Sequence, residues 1–284
     1  MTLYACGLVI VLVLGAEPAS QPEMAESAVS AQWLPIFDGV AAEYELRPEP
    51  ESKSLELLRR PVYKWARSGP NGGTNGAIYV WTRNGCAEAV ACFWRSATPD
   101  GKNSIAHELH SLSPSVLESE RSGPNQWKPK AKLKRQLLPE VPIPASSSPG
   151  RLQQMRAICR DFSASSVSAR GDRTELRLLP QPLYRYQSTN SDIADGALFA
   201  FVCSVGTDPE VFLLLEDVET TEGRRWHYAL ARFSHLNLFV NYKEREVWQA
   251  VRGPNDTFAH NSDHTYWLFH EPFNRQLREA TVDQ

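Results

Sequence analysis

One register of self-similarity constrains this 284-residue chain more than any other feature. The stretch NGAIYVWT begins at Asn75, and DGALFAFV begins at Asp195. Around them an offset of 121 positions aligns Leu55, Leu57 and Leu58 with Leu176, Leu178 and Leu179. The same offset aligns Pro61 with Pro182, Tyr63 with Tyr184, Gly85 with Gly206, Leu109 with Leu230, Ser113 with Ser234 and Trp127 with Trp248. We read two copies of one module, residues 32–128 and 153–249, produced by internal duplication. Residues 129–150 join them, and a C-terminal tail spans 250–284.

Each copy reads as a helix followed by strands. In the second copy Ser148 suits an N-cap and Pro149 the first helical position. Leu152, Met155, Ile158, Cys159 and Phe162 then recur at helical spacing. SASSVSARGD reads as the break that ends this helix. ELRLL, PLYRY, ALFAFV, VFLLLEDV, WHYALARF, LNLFVNY and EVWQAV follow as β-branched, aromatic or leucine-rich runs separated by Gly, Pro and Asp. The first copy repeats the order, with a helix around Gln32 to Tyr44 weakened by Pro35 and Gly39. The expected fold is therefore α+β: two copies of a helix plus a curved antiparallel β-meander, related by a pseudo-two-fold axis. Runs such as ALFAFV are apolar on both faces and need cover on both sides. Trp127 and Trp248 are expected to close the last strand of each module as core residues.

Residues 3–16, LYACGLVIVLVLGA, are uncharged and apolar. They are shorter than the ~20 residues that span a bilayer and suit the core of a secretory signal, with residues 1–16 removed on export. The mature chain is then periplasmic or extracellular and carries no membrane span. A net charge of −3 gives no reason to expect nucleic acid as a partner.

RLLPQPLYRY, DGALFAFV, GTDPEVFLLLE and WHYALARF, together with the signal segment, resemble an uncharacterised family of exported proteins from planctomycete bacteria. The resemblance is clearest over Arg151 to Ala250. It implies export and carries no catalytic residue with it.

Several groups bear on chemistry. His107-Glu108-Leu109-His110 places two histidines three apart on a strand, where they point to opposite faces and share no metal. His260, Asp263 and His264 form a better metal-ligating trio, with His270 nearby. Arg170-Gly171-Asp172 reads as a turn. The basic run Lys128 to Arg135 reads as a solvated linker, and SGPNGGTNG near Ser68 as a hairpin loop. Cys86 and Cys92 are six apart along one strand, ~20 Å, too far for a disulfide. Cys86–Cys159 with Cys92–Cys203, Cys86–Cys203 with Cys92–Cys159, and four reduced thiols remain open. No catalytic or cofactor-binding residue is assigned, because the copies agree on Leu, Pro, Tyr, Gly and Trp rather than on acids or histidines. The expected function is a non-catalytic exported binding or assembly module of the cell envelope, with an envelope protein or polysaccharide as partner and no cofactor. The alternative is a metal-assisted hydrolase holding zinc or another divalent metal near His260.

Overall fold

Long strands that are apolar on both faces dictate the architecture. A computed structural model describes residues 29–51, 53–67, 74–97, 103–121, 123, 125–188, 192–204, 206–253 and 262–273. Residues 1–16, the expected signal segment, lie outside the described residues. Helix α1 (Val29–Ala42) leads into β1 (Glu45–Pro48), β2 (Glu56–Leu57), β3 (Tyr63–Arg67), β4 (Thr74–Arg83), β5 (Cys86–Ala97), β6 (Asn103–Ser111) and β7 (Leu117–Glu120). After β8 (Gln136–Leu137) comes α2 (Ser148–Ile158), then β9 (Phe162–Val167), β10 (Arg173–Leu178), β11 (Tyr184–Tyr186) and β12 (Ile193–Val202). β13 (Pro209–Val218), β14 (Arg225–Arg232), β15 (Asn237–Tyr242), β16 (Arg245–Ala250) and β17 (Tyr266–Pro272) complete the chain order.

One sheet runs β17-β6-β5-β4-β2, with β3 also on β4; the larger runs β16-β15-β9-β10-β12-β13-β14-β8, with β11 on β12. A separate pair joins β1 to β7. The pairings fall at corresponding positions. Tyr63 faces Ile78 and Trp65 faces Gly76; Tyr184 faces Leu198 and Tyr186 faces Gly196.

Alternation along β4 sends Ala77, Tyr79 and Trp81 to one face, where they pack with Trp33, Phe37, Val40 and Ala41 of α1. Ile78 and Val80 go to the other face and meet Leu198, Ala200, Phe212 and Leu214 of the second sheet. Phe199, Phe201, Leu213 and Leu215 face away from that interface and pack on Met155 and Ile158 of α2. Each fully buried Leu or Phe contributes roughly 1.5–3 kcal/mol, so the sheet-on-sheet core and the two helix-covered cores all hold the fold together.

The expected α+β fold is corrected by these proportions. Strands hold 51% and helix 12% of the described residues, with two α-helices. The two helices, 14 and 11 residues long, each cover one face of a curled sheet, while the sheets cover each other. Segments read as non-strand became strand. SASSVS forms most of β9, pairing on both sides with β10 and β15. Part of the linker became β8 on β14, and YWLFHEP of the tail became β17 on β6. The α2 cap is Ser147, whose hydroxyl accepts the Gly150 N–H at 3.3 Å, one residue before the expected Ser148.

Two further expectations change. Trp127 is fully buried but lies outside any strand, donating from Nε1 to the His264 carbonyl at 3.0 Å. Trp248 sits in β16 and is only partly buried. None of Cys86, Cys92, Cys159 and Cys203 forms a disulfide. Among the described residues no helix is long and apolar enough to cross a membrane.

Candidate functional site

The core between the sheets opens at one end. There the turn from β12 to β13 crosses to β3: Arg67 bridges Gly206, the Ala66 N–H donates to Thr207 Oγ1 at 3.2 Å, and Thr207 N–H donates to the Ala66 carbonyl at 3.3 Å. Arg67 Nη1 pairs with Asp208 Oδ2 at 3.4 Å. Beside this junction lies a cleft of about 210 Å³. Trp65 and Trp94 form its aromatic wall, Glu108 and Glu210 its acidic floor, and Asp208, Ser234 and His235 its rim. The two indoles are 6.1 Å apart between ring centroids, inclined at 59°.

The floor is unusual because both carboxyls occupy core-side positions. Glu108 lies opposite Cys92 on β5 and Leu268 on β17. It is 7% exposed and accepts the Tyr266 hydroxyl at 2.5 Å. Burial pushes its pKa well above the usual carboxylate range; the Tyr266 hydroxyl opposes this, and the charges of Glu210 and Asp208 add to it. Glu210 is 6% exposed and raised to about 7, chiefly by burial, with Ser234 opposing and Asp208 adding. Its Oε2 is buried without a hydrogen-bond partner. His235 is pushed down by burial and by Arg252, Arg232 and Arg67, so it is neutral at pH 7.

Several other charged groups in the interior are bound into networks. Asp195 Oδ2 accepts Arg151 Nε at 2.8 Å and Arg185 Nη2 at 2.7 Å, and Arg185 Nη2 also donates to the Ser148 carbonyl at 2.7 Å. Arg121 Nη2 joins Glu43 at 2.7 Å and Glu271 at 2.6 Å. These arrangements tie elements together. The cleft sets an acceptor with no donor, Glu210 Oε2, beside two indoles; Glu88 Oε2 is likewise buried without a partner, but its Oε1 is held by the Arg83 guanidinium. The cleft offers hydrogen-bond acceptors and apolar contact. Ser234 is already held, accepting the Leu236 N–H at 3.2 Å and bonding Glu210, so its hydroxyl is not poised as a nucleophile.

The residues singled out by sequence are dispersed. His107 and His110 face opposite ways: His107 Nδ1 bonds the Tyr44 hydroxyl at 2.8 Å and its ring stacks on Phe269, whereas His110 Nδ1 bonds the Ser111 carbonyl at 2.7 Å. Burial lowers His110 to about 4. The residue between them, Glu108, is the one that reaches the cleft. His260 lies outside the described residues. Asp263 and His264 are about half exposed, with His264 Nε2 3.9 Å from Asp263 Oδ1, and Lys130 Nζ competes for Asp263 at 3.4 Å. His270 lies on β17, its ring edge-on to Trp94. Arg170-Gly171-Asp172 forms the β9–β10 turn, where Ser168 Oγ accepts the N–H groups of Arg170 and Asp172 at 3.2 Å each.

Sequence reasoning missed Trp65, Trp94, Asp208 and Glu210. One signal was present for Glu210. It shares its strand parity with Phe212 and Leu214, so alternation places a carboxylate on the core face. The basic run held a second surprise: Arg135 is not solvated, donating from Nε and Nη2 to the buried Glu216 at 2.6 and 3.1 Å. Compared with protein-family models, curated proteins and solved structures, the chain has no match.

Proposed function

We propose that the chain is a non-catalytic, exported binding module of the cell envelope, and that its ligand enters the cleft between the two sheets. The observation that carries this reading is the buried Glu210 carboxyl with an oxygen lacking a partner, set beside Trp65 and Trp94 at the open end of the core. A buried polar group without a partner is costly, on the order of 1–3 kcal/mol, and a ligand donor removes that cost. Indole faces beside acceptors suit a polysaccharide or a peptide side chain. The apolar run over residues 3–16 and the resemblance to exported planctomycete proteins support export to the periplasm or cell exterior.

The two halves arose, in this proposal, by internal duplication. Support comes from the matched registers: Trp65 over Gly76 and Tyr186 over Gly196, 121 and 120 positions apart. Only the first half supplies Trp65, Trp94 and Glu108, and only the second supplies Asp208 and Glu210. The copies therefore build a single site at their junction rather than one site each.

Co-sedimentation with insoluble cell-envelope polysaccharide tests the function. Wild-type protein should pellet with it, and Trp94→Ala or Glu210→Gln should remain in the supernatant while melting cooperatively. Variants that pellet like the wild type, or release of soluble sugar by the wild type, would sink the reading.

A further inference from the structure

We propose that Cys203, Asp208 and Glu210 form a binding site for a divalent transition ion of the zinc or cobalt(II) class at the edge of the cleft, a role beyond ligand binding in the cleft itself. One ligand atom from each of the three lies within 4.8 Å of the others. Cys203 directly follows β12, Asp208 directly precedes β13, and Glu210 is the second residue of β13. The turn between the two strands is held in place by two bonds to Ala66, whose N–H donates to Thr207 Oγ1 and whose carbonyl accepts the Thr207 N–H.

The donors are arranged as a metal would use them. Cys203 Sγ donates its proton to Asp208 Oδ1 at 2.8 Å. Zinc binds thiolate sulfur at ~2.3 Å and carboxylate oxygen at ~2.0–2.2 Å, so tetrahedral donors sit roughly 3.3–3.7 Å apart by the same geometry. Replacing the thiol proton with an ion needs this sulfur–oxygen pair, at the upper end of that range, to open by about 0.7–0.9 Å. Glu210 supplies an independent sign of a missing partner: the residue is 94% buried, and its Oε2 has no hydrogen bond. Ser234 holds Glu210, and Arg67 holds Asp208 through Oδ2, leaving Oδ1 toward the thiol. These are the outer contacts that orient metal-binding carboxylates.

Ligand type selects the ion. A thiolate disfavours calcium and magnesium, which take oxygen ligands, and favours borderline ions such as zinc and cobalt(II). Three protein ligands leave a coordination position open toward the cleft, as open zinc sites do. On binding, the Cys203 S–H bond breaks, its proton leaves to solvent, and the sulfur electron pair forms the bond to the ion. No redox change is required.

The test is titration of metal-free full-length protein with cobalt(II) under a non-thiol reductant. The wild type should bind one equivalent and develop a near-ultraviolet sulfur-to-cobalt charge-transfer band, which zinc should abolish by displacement. Cys203→Ser should lose the band, and Glu210→Gln should weaken binding by about tenfold or more, with far-ultraviolet circular dichroism checking that each variant is folded. Absence of the band in the wild type overturns the proposal whatever the variants do. A band that persists in Cys203→Ser moves the metal to another thiol and also overturns it.

Discussion

The indole of Trp65 occupies the space in which Gly76 would carry a side chain: a Cβ built there lies 2.7 Å from three ring atoms. Tyr186 stands in the same relation to Gly196, with ring atoms 2.4 Å from a built Cβ. An aromatic from the neighbouring strand fills the gap that each glycine leaves. The glycine in each of the repeated stretches thus serves a contact across the sheet.

Gly76→Ala and Gly196→Ala should each destabilise the protein by about 1–3 kcal/mol, the range for overpacking a filled core. Gly39→Ala makes the control. Gly39 lies in α1 with nothing within 4 Å of a built Cβ, so alanine should stabilise by roughly 0.5–1 kcal/mol. Denaturant melts of the three variants decide the point; equal effects at Gly39 and Gly196 would contradict it.

Trp127→Ala should cost ~3–5 kcal/mol as a fully buried large-to-small change that also removes the bond to the His264 carbonyl. Trp248→Ala should cost less, about 1–2 kcal/mol in proportion to its partial burial. Matching losses in thermal melts would show that burial does not separate the two positions.

Arg135→Ala should be severe, because it removes the counter-charge of the Glu216 carboxylate, which is 1% exposed, and leaves it with the Tyr186 hydroxyl among the sheets. Breaking a buried pair in this way costs ~3–5 kcal/mol. Replacing both partners, Arg135→Met with Glu216→Leu, should recover much of that loss. A double variant less stable than Arg135→Ala alone would argue against an ion pair as the controlling interaction.

Glu210 gives a pH signature. Its folded pKa is raised from 4.5 to about 7, so between those values the folded state binds more protons than the unfolded state. Stability therefore falls as pH rises through that window, by about 3 kcal/mol at most. In metal-free buffer Glu210→Gln should lack this decline and should gain on the wild type toward pH 8. Parallel stability-against-pH curves for the two proteins would contradict the assignment.

How much of this was legible varies by element. β4 and β12 stood out because an unbroken apolar run bounded by turn residues has few other outcomes. β9 did not, because Ser163, Ser165 and Ser166 carry no apolar period; its strand character comes from β10 and β15 on either side. The share of helix was overestimated because α1 and α2 were weighed without the strands that the linker and tail contribute. The cleft was hidden for a different reason. Trp65, Trp94, Glu108, Glu210 and Ser234 meet only when two sheets stack, and no local spacing encodes that meeting. Only the misplaced polarity of Glu210 on an apolar strand was available in advance.

Hydrogen–deuterium exchange with and without soluble fragments of cell-envelope polysaccharide tests the central claim most directly. Binding in the cleft predicts slowed exchange confined to β3, the β12–β13 turn and the segment around Ser234, lost in Trp94→Ala. Slowed exchange elsewhere with none at these segments, or none anywhere at saturating fragment, would contradict the cleft as the binding site.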